Sequence, residues 1–265
     1  MKKVLVSMPV HQAPDVIENT IKNFQMFLPQ AAMVLHVSAD SPGLLEEINK
    51  FKGKYNNVFI NPKRWHTFKH DESSQVTGLS SVHASNFQYM DNISKFDVFA
   101  MDTSNDYLIR HGLYDVMNKF DCAFSNVTRC PPDQFQSPQT VRNCKLVINP
   151  IVMEKGTQEG FFMPADCFRE VAKKIVEIQE KLGRPSLDGE EGYIPSLLFN
   201  MFPELYESNA GTHYIYHDPS EGESVSMTSI NKVLNGYYPM MFGVKRVPRI
   251  INHPTRVYLN KMFNL

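Results

Sequence analysis

The sequence predicts an α/β protein with a mostly parallel sheet flanked by helices, and three patterns support this prediction. Short apolar runs have the length of buried strands and occur at residues 3–8, 33–37, 57–60 and 96–101. Segments with apolar residues at helical spacing lie between these runs, at residues 13–27, 44–51 and 77–93. Alternation of strands with helices favours parallel strands that are covered on both faces.

The second half of the chain continues this pattern less regularly. Residues 161–163 are typical of a strand end, and Pro164 stands where the first turn of a helix tolerates proline. The apolar residues that follow keep helical spacing up to Gly183, a common helix stop. We also predict a helix at 190–202, a strand at 213–216, and loops at 64–74 and 130–140. No internal repeat or linker is visible, so residues 1–265 are expected to form a single domain.

Composition and charge disfavour several classes of protein. The 265 residues are 42% hydrophobic and 21% charged, which is ordinary for a globular chain, and no run reaches the roughly 18 apolar residues of a membrane span. With 27 basic and 28 acidic residues, the chain lacks the basic excess of a general nucleic-acid-binding protein. The first apolar run is expected to end at Pro9 and is too short for a signal peptide. We therefore expect a cytoplasmic protein whose four cysteines are free thiols.

The ends of the first two predicted strands carry candidate ligand-binding residues. In open α/β sheets the ligand lies beyond the carboxyl ends of the strands, where Pro9, Val10 and His11 follow the first strand. Asp40 follows the second strand, and it could hold a ribose hydroxyl or a uracil N–H, or form a turn. The sequence contains neither G-x-G-x-x-G after the first strand nor G-x-x-x-x-G-K-[ST], so neither a dinucleotide site nor a P-loop is expected.

Two acidic segments each have two interpretations. Asp102 and Asp106 follow the fourth predicted strand, but their spacing does not match the metal-binding Asp-x-Asp of many nucleotide-sugar enzymes. They could instead cap a helix that starts near Ile109, and we expect no metal there. Glu190 and Glu191 belong to an acidic cluster at a predicted helix start, where acids either compensate the helix dipole or include a general base.

The last thirty residues hold the densest basic stretch of the chain, interleaved with aromatic residues: Lys245, Arg246, Arg249, His253, Arg256 and Lys261. A solvated basic face is one interpretation of this stretch. The other is a clamp that neutralises a leaving diphosphate. No predicted helix carries an H-x-x-x-H or H-E-x-x-H pattern, which disfavours a zinc hydrolase.

Several motifs, taken in order along the chain, resemble those of one family. Segments 6–11 (VSMPVH) and 34–42 (VLHVSADSP) resemble the first strand and donor loop of the core-2/I-branching N-acetylglucosaminyltransferases and the related peptide O-xylosyltransferases. Further segments are similar to motifs that follow in that family, at residues 80–84, 96–109, 156–168, 189–193, 214–217, 221–222 and 258–263.

The resemblance implies a single-domain GT-A fold with a Rossmann-like sheet, a nucleotide-binding half at 1–125 and an acceptor-binding and catalytic half at 126–265. It also implies inverting transfer of a sugar from a nucleotide-sugar, most simply a UDP-sugar, to a hydroxyl of a glycan or glycoconjugate acceptor. Surface glycan synthesis is the expected setting. No nucleic-acid partner is implied, and peripheral association with a membrane is left open.

Individual roles follow from the same resemblance. Glu191 matches the family's catalytic base, and Asp106 matches the acid after the fourth strand. Lys261 and Arg249, with Arg256 as the alternative to Arg249, are expected to bind the donor diphosphate without a metal or other cofactor. The acceptor is expected to contact two residues, Gln158 and His217.

The chain also departs from the family pattern. Ser38 and Asp40 replace an Asp and a Lys of the donor loop, and His217 stands where the family has a Trp that stacks on the acceptor. The sequence shows neither the membrane anchor nor the many disulfides of the lumenal enzymes, which favours a bacterial or viral member. The alternative is a non-catalytic or nucleotidyltransferase-like protein that binds nucleotide-sugars, although a nucleotidyltransferase would need a glycine-rich loop after the first strand.

Overall fold

The computed structural model describes residues 1–11, 13–67, 78–156, 160–183 and 190–265. The strands, in chain order, are β1 (Val4–Val10), β2 (Ala32–Val37), β3 (Val58–Ile60), β4 (Val98–Met101), β5 (Tyr107–Leu108), β6 (Asn126–Cys130), β7 (Met153–Gly156), β8 (Phe161–Pro164), β9 (Ile215–Tyr216) and β10 (Gly243–Val244). The helices are α1 (Pro14–Phe27), α2 (Leu44–Asn49), α3 (Leu79–Asp91), α4 (Leu113–Lys119), α5 (Pro138–Cys144), α6 (Ala165–Leu182), α7 (Glu190–Met201), α8 (Met227–Leu234) and α9 (Pro254–Phe263).

The central sheet has five strands in the order β3-β2-β1-β4-β8. The first four run parallel, and β8 is antiparallel to β4. Smaller sheets are formed by β5-β10-β9 and by β6-β7. The predicted α/β class with a mostly parallel sheet is therefore confirmed. Because β8 comes from the second half of the chain, both halves contribute to one sheet, and the single-domain organisation stays a prediction.

The side chains of β1 alternate between two hydrophobic cores, one on each face of the sheet. Val4, Val6 and Met8 belong to the core that α1 covers. Leu5 belongs to the core on the other face, to which α3 and α6 contribute. In that second core the rings of Phe99 and Phe168 stack with their centroids 4.0 Å apart. Helices on both faces explain why the strands are almost uniformly apolar.

Strand β1 continues through Pro9 to Val10, although the sequence predicted that the proline would end it. The last pair between β1 and β4 is Ser7 with Met101, and the amide of Asp102 donates to the carbonyl of Ser7. Backbone groups of alternate residues point to the same side of a strand, so the nitrogen of Pro9 points beyond the end of β4. The missing N–H therefore removes no ladder hydrogen bond.

Some elements were not predicted from the sequence. Helix α5 occupies the end of the proline-rich segment, and its N-cap Ser137 accepts a hydrogen bond from the amide of Thr140. Strands β5, β6, β7 and β10 and helices α8 and α9 were also missed, and α4 begins at Leu113 rather than near Ile109. The four cysteines are free, as expected. Among the described residues, no helix combines the length and the apolar character needed to cross a membrane.

A close backbone contact at Gly160 joins the central sheet to the strand pair β9-β10. The amide of Gly160 donates to the carbonyl of Met101 at the end of β4, and its own carbonyl accepts from the amide of Tyr214. Gly160 has a φ of 71°, and a Cβ built on it would lie 2.6 Å from the backbone nitrogen of Ile215. Both the left-handed conformation and the contact require glycine at this position.

We predict that Gly160→Ala lowers the free energy of unfolding by about 3 kcal/mol or more, because it adds backbone strain and a clash with backbone atoms. Gly183→Ala is the matched control. Gly183 ends α6 with a φ of 61°, but nothing lies within 4 Å of an added Cβ, so this change should cost about 1 kcal/mol. Urea unfolding measures both losses, and equal losses would contradict the close contact at Gly160.

Candidate functional site

Asp40, which follows β2, lies beneath segment 64–67 and its side chain is only 1% exposed. Oδ2 accepts hydrogen bonds from Oγ of Ser38 at 2.9 Å and from the amide of Thr67 at 2.6 Å. Oδ1 lies 2.6 Å from Nδ1 of His66. The carboxylate therefore holds segment 64–67 over the end of β2. This placement corrects the prediction that Asp40 faces the nucleotide, because the carboxylate is covered and has protein partners on both oxygens.

His11 is the first residue beyond β1, and it connects this region to the C-terminal segment. Burial is the main cause that lowers the pKa of His11 to about 3, the cation of Arg249 lowers it further, and Asp40 opposes both effects. The structure thus brings Arg249 and Asp40, two other predicted site residues, each within electrostatic range of His11. The imidazole of His11 is neutral at physiological pH.

Pro9 and Val10 do not reach a surface that a ligand could contact. Both residues are buried. Val10 belongs to the core beneath α1, and its carbonyl accepts a hydrogen bond from the amide of Ser38. Their predicted role at the nucleotide pocket is corrected, because β1 is longer than the sequence predicted. His11 is therefore the first residue after this strand that is not buried.

Asp102 and Asp106 are both fully buried beyond the end of β4. Oδ2 of Asp102 accepts a hydrogen bond from the hydroxyl of Tyr214 at 2.5 Å. Burial and the neighbouring Asp102 carboxylate raise the pKa of Tyr214, so this hydroxyl stays protonated and donates. Oδ2 of Asp106 accepts from the amide of Thr103 at 2.6 Å and from its hydroxyl at 3.0 Å. Asp106 therefore stabilises the turn after β4 and does not cap a helix.

A cavity of about 700 Å³ lies between the turn after β4 and the C-terminal segment, and we call it the arginine cavity. It is lined by Asn105, Gly222, Glu223, Ser224, Arg246, Val247, Pro248, Arg249, Ile250 and His253. The amide of Val247 donates to the carbonyl of Asn105 at 3.0 Å, which fixes the C-terminal segment beside β4. The side chain of Arg246 donates to the carbonyl of Gly222. Arg249 is exposed, so the cavity presents cations suited to a phosphate.

Arg256 does not line the arginine cavity, although it was predicted as an alternative phosphate ligand. It is fully buried. Its Nε donates to the carbonyl of Pro248 at 2.8 Å, and its Nη1 donates to Oδ1 of Asn19 at 2.7 Å. The prediction is corrected because the guanidinium is covered by protein. Arg256 instead fixes the backbone next to Arg249.

Lys261 is exposed in the last turn of α9. This helix begins at the arginine cavity, where His253 is its N-cap, and ends where the ring of Phe263 packs edge-on against Phe27 of α1. Lys261 is eight residues after His253, which corresponds to a rise of about 12 Å along the helix axis. Lys261 is not among the residues that line the arginine cavity, although it was predicted to bind the diphosphate together with Arg249.

Glu191 lies at a second cavity, of about 270 Å³, which we call the glutamate cavity. It is lined by Phe135, Gln136, Ser137, Thr140, Lys155, Glu191 and Gly192. Nζ of Lys155 is 3.3 Å from Oε2 of Glu191, and the two side chains are 41% and 44% exposed. Glu191 stands in the first turn of α7, where free N–H groups and the helix dipole favour a carboxylate.

Side-chain hydrogen bonds fix the first half of α7 against α5 and β7. Asn143 of α5 donates to the hydroxyl of Tyr193. The hydroxyl of Ser196 accepts from the amide of Glu154 at 2.9 Å and donates to its carbonyl at 3.1 Å. The turn that carries Glu191 is therefore held on two sides, and the cavity has a defined wall.

The glutamate cavity lies within a short stretch of chain from the end of β4. Lys155 precedes Gly160 by five residues, which span at most about 18 Å even when fully extended. Gly160 bonds to Met101, immediately before Asp102 and the turn that borders the arginine cavity. Through Gly160 the chain thus connects the glutamate cavity to the end of β4, the edge of the sheet where ligands bind in open α/β proteins.

The two predicted acceptor-binding residues do not help to define the site. Gln158 lies outside the described residues. His217 follows β9 and is half-buried beside Asp218, and it lines neither the arginine cavity nor the glutamate cavity.

Sequence reasoning missed Lys155 and Glu154, neighbours on β7. Glu154 is fully buried, and neither of its carboxyl oxygens has a hydrogen-bond partner among the described residues. Burial raises the pKa of Glu154 to about 7, and the cation of Arg129 on the adjacent β6 opposes this only in part. The four residues of β7, M-E-K-G, have no apolar pattern that predicts a strand. The sequence also gives no indication that Lys155 pairs with Glu191 or that Glu154 is buried.

Comparison with known proteins gives distant likenesses only. No protein-family model matches the chain, and no curated protein matches its sequence significantly. Among solved structures, the chain is similar to the apo-form glycosyltransferase GlyE of Streptococcus pneumoniae TIGR4, with 12% identity and a TM-score of 0.45 over 100% of this chain and 64% of GlyE. It is also similar to the nucleoside-diphosphate-sugar pyrophosphorylase of Vibrio cholerae RC9, with 7% identity and a TM-score of 0.43 over 75% of this chain and 88% of that one.

A third similar structure is the mannosyltransferase PcManGT of Pyrobaculum calidifontis, solved in complex with GDP-Man and Mn²⁺. Its identity is 9% and its TM-score 0.36, over 71% of this chain and 54% of that one. This chain therefore spans less than two thirds of the length of either glycosyltransferase.

The pKa of Glu154 predicts how stability depends on pH. The folded-state value of about 7 lies above the ordinary 4.5, so burial costs nothing below about pH 4.5, costs more as the pH rises to 7, and reaches its full cost above 7. Glu154→Gln should therefore raise the free energy of unfolding at pH 8 by up to about 3 kcal/mol and change it little at pH 4.5.

Urea unfolding at the two pH values measures this difference. Glu170→Gln is the control, because Glu170 is an exposed acid on α6 and its removal should have a similar small effect at both pH values. A Glu154→Gln variant that is less stable than the native protein at pH 8 would contradict the buried, unpartnered carboxylate.

Proposed function

We propose that the protein is an inverting glycosyltransferase that transfers a sugar from a nucleotide-sugar, most simply a UDP-sugar, to an acceptor hydroxyl. The observation that carries the proposal is the presence of two unlike cavities, one lined by cations and the other by a carboxylate. The arginine cavity offers cations for a diphosphate, and the glutamate cavity offers a carboxylate on the first turn of a helix that is held in place. The order of motifs along the chain, which resembles that of the core-2/I-branching family, supports the same function.

In this proposal the donor diphosphate lies against Arg249 in the arginine cavity, with Arg246 beside it. The bond between the anomeric carbon and the diphosphate oxygen breaks, and the oxygen takes the electron pair. The charge that develops on the leaving nucleoside diphosphate needs nearby positive charge. Arginine suits this task because its planar group can donate two parallel hydrogen bonds to a phosphate. Arg256, one turn into α9, positions the Arg249 segment by holding the carbonyl of Pro248.

Glu191 is the proposed general base. As the acceptor oxygen bonds to the anomeric carbon on the face opposite the leaving group, its proton passes to the Glu191 carboxylate. Among the described residues, the only partner of this carboxylate is the cation of Lys155. Its lone pairs are therefore accessible to an acceptor hydroxyl.

The diphosphate chemistry is proposed to need no divalent metal. The two carboxylates beyond β4 are fully buried and hold Tyr214 and Thr103 through Asp102 and Asp106. These bonds stabilise the turn at the end of β4, which leaves the cations of the arginine cavity to offset the charge of the leaving group.

We predict that Glu191→Gln lowers turnover by about a hundredfold or more, because the amide cannot accept the proton. Release of nucleoside diphosphate from a panel of UDP-, GDP-, CMP- and dTDP-sugars, with simple glycoside acceptors, measures turnover. Donor-induced thermal shift should persist in the variant. Glu190→Gln is the matched control and should keep most of the activity. Full activity in Glu191→Gln would exclude it as the base, and no thermal shift with any nucleotide-sugar would contradict the function itself.

Arg249→Gln should lower kcat/KM for the donor by about tenfold or more, because one charge-assisted phosphate contact is lost. Lys261→Gln is the matched control at the far end of α9 and should leave kcat/KM unchanged. The same assay in excess EDTA is expected to keep full activity. Loss of activity in EDTA with recovery in Mn²⁺ would contradict the cationic clamp and assign Asp102 and Asp106 to a metal.

A further inference from the structure

The pair of Lys155 and Glu191 is the feature of the glutamate cavity that the proposed function does not yet explain. Nζ of Lys155 lies 3.3 Å from Oε2 of Glu191, and both side chains remain more than two-fifths exposed. An ion pair this exposed adds at most about 1 kcal/mol to folding stability. The pair is therefore better explained by what occupies the cavity than by the stability of the fold.

Both members of the pair keep unused hydrogen-bonding capacity. A lysine ammonium has three N–H donors, and a carboxylate can accept about four hydrogen bonds. Among the described residues, Lys155 and Glu191 have each other as their only charged partner and neither hydrogen-bonds to another group. A ligand in the cavity thus finds one strong donor and one strong acceptor side by side.

Both members are also held by rigid elements. Lys155 lies on β7 next to Glu154. The backbone of Glu154 forms two hydrogen bonds with the side chain of Ser196 on α7. Glu191 lies in the first turn of the same helix. A Cβ on Gly192 would lie 3.3 Å from Cζ of Phe135, so the absence of a side chain lets this ring pack against the turn. The ring and the ion pair line the same small cavity.

A donor and an acceptor at this separation match a particular group on a sugar. Hydroxyl oxygens on neighbouring ring carbons lie about one hydrogen-bond length apart, close to the separation of Nζ from Oε2. One hydroxyl can then donate to the carboxylate while the neighbouring oxygen accepts from the ammonium. The ring of Phe135 offers an apolar wall for the C–H groups of the sugar.

We propose that Lys155 and Glu191 together bind a vicinal diol of the acceptor sugar, in which Glu191 contacts the hydroxyl that is glycosylated and Lys155 contacts its neighbour. This proposal rests on the proposed function, and it adds the acceptor class: a sugar ring with a free hydroxyl next to the one that reacts. Lys155 donates to the neighbouring oxygen and not to the reacting one, because a donated proton would draw electron density from the nucleophile. Lys155 is in this sense a specificity-determining residue.

The test uses methyl glycosides of glucose, galactose and N-acetylglucosamine, each with its monodeoxy analogues, as acceptors for the native protein and three variants. In the native protein, removal of the neighbouring hydroxyl should lower kcat/KM by about tenfold to a hundredfold, the effect of one lost hydrogen bond to a charged group. Lys155→Met should show the same loss with the intact glycoside and no further loss with the deoxy analogue. Lys155→Arg should restore part of the activity, and Lys173→Met, which removes an exposed cation of α6, should have no effect.

The outcomes separate the two proposals. Equal use of intact and deoxy acceptors by the native protein, with transfer intact, would overturn the diol proposal alone. The same would follow if Lys155→Met and the deoxy acceptor gave losses that simply add, since the two groups would then not contact each other. Absence of transfer to every acceptor with every donor would overturn the proposed function, and the diol proposal with it. Urea unfolding of Lys155→Met should match the native protein, and a loss of stability as large as the loss of activity would indicate a structural role instead.

Discussion

The close contact at Gly160 is the constraint on which the arrangement of the site depends. This residue lies where the antiparallel strand β8 begins beside β4, and its backbone bonds to both Met101 and Tyr214. Two chain segments far apart in sequence can approach this closely only because no side chain intervenes. The contact brings the hydroxyl of Tyr214 within hydrogen-bonding distance of Asp102. It also positions β9 beside β10, which pairs in turn with β5. The turn after β4 and the C-terminal segment therefore meet at one place.

The distribution of charge at the end of β4 follows from this contact between the turn after β4 and the C-terminal segment. The C-terminal segment carries most of the cations that the sequence concentrates late in the chain, and β10 with the bond from Val247 to Asn105 brings their first members to the end of β4. Arg249 is then close enough to His11 to help keep its imidazole neutral. One arginine, Arg256, is used inside the protein to hold this segment. The basic residues near the end of the sequence thus have different environments. Arg256 is buried and stabilises the fold, whereas Arg249 and Lys261 are exposed to solvent.

The parts of the fold that the sequence predicted are those with a local signal. Buried strands such as β2 and β4 are continuous apolar runs, and α6 has both a regular apolar stripe and a glycine stop. The parts that were missed depend on distant partners: β7 exists because β6 pairs with it and α7 packs on it. The candidate site divides in the same way. Position at a strand end predicted that His11 lies beyond β1, where the structure has it, and its donor-binding role stays a prediction. The same signal could not tell that the carboxylate of Asp40 is covered by segment 64–67, nor that the ion-pair partner of Glu191 is Lys155.

The contrast between the two cavities has a chemical consequence. The arginine cavity offers an excess of positive charge, which suits a donor whose leaving group becomes more negative as the bond breaks. In the glutamate cavity, a lysine balances the carboxylate, so a neutral acceptor can enter without an unpaired charge being left beside it. A Lys–Glu pair on rigid elements therefore suits a neutral polyhydroxyl acceptor, while the cations proposed to bind the donor line a separate cavity.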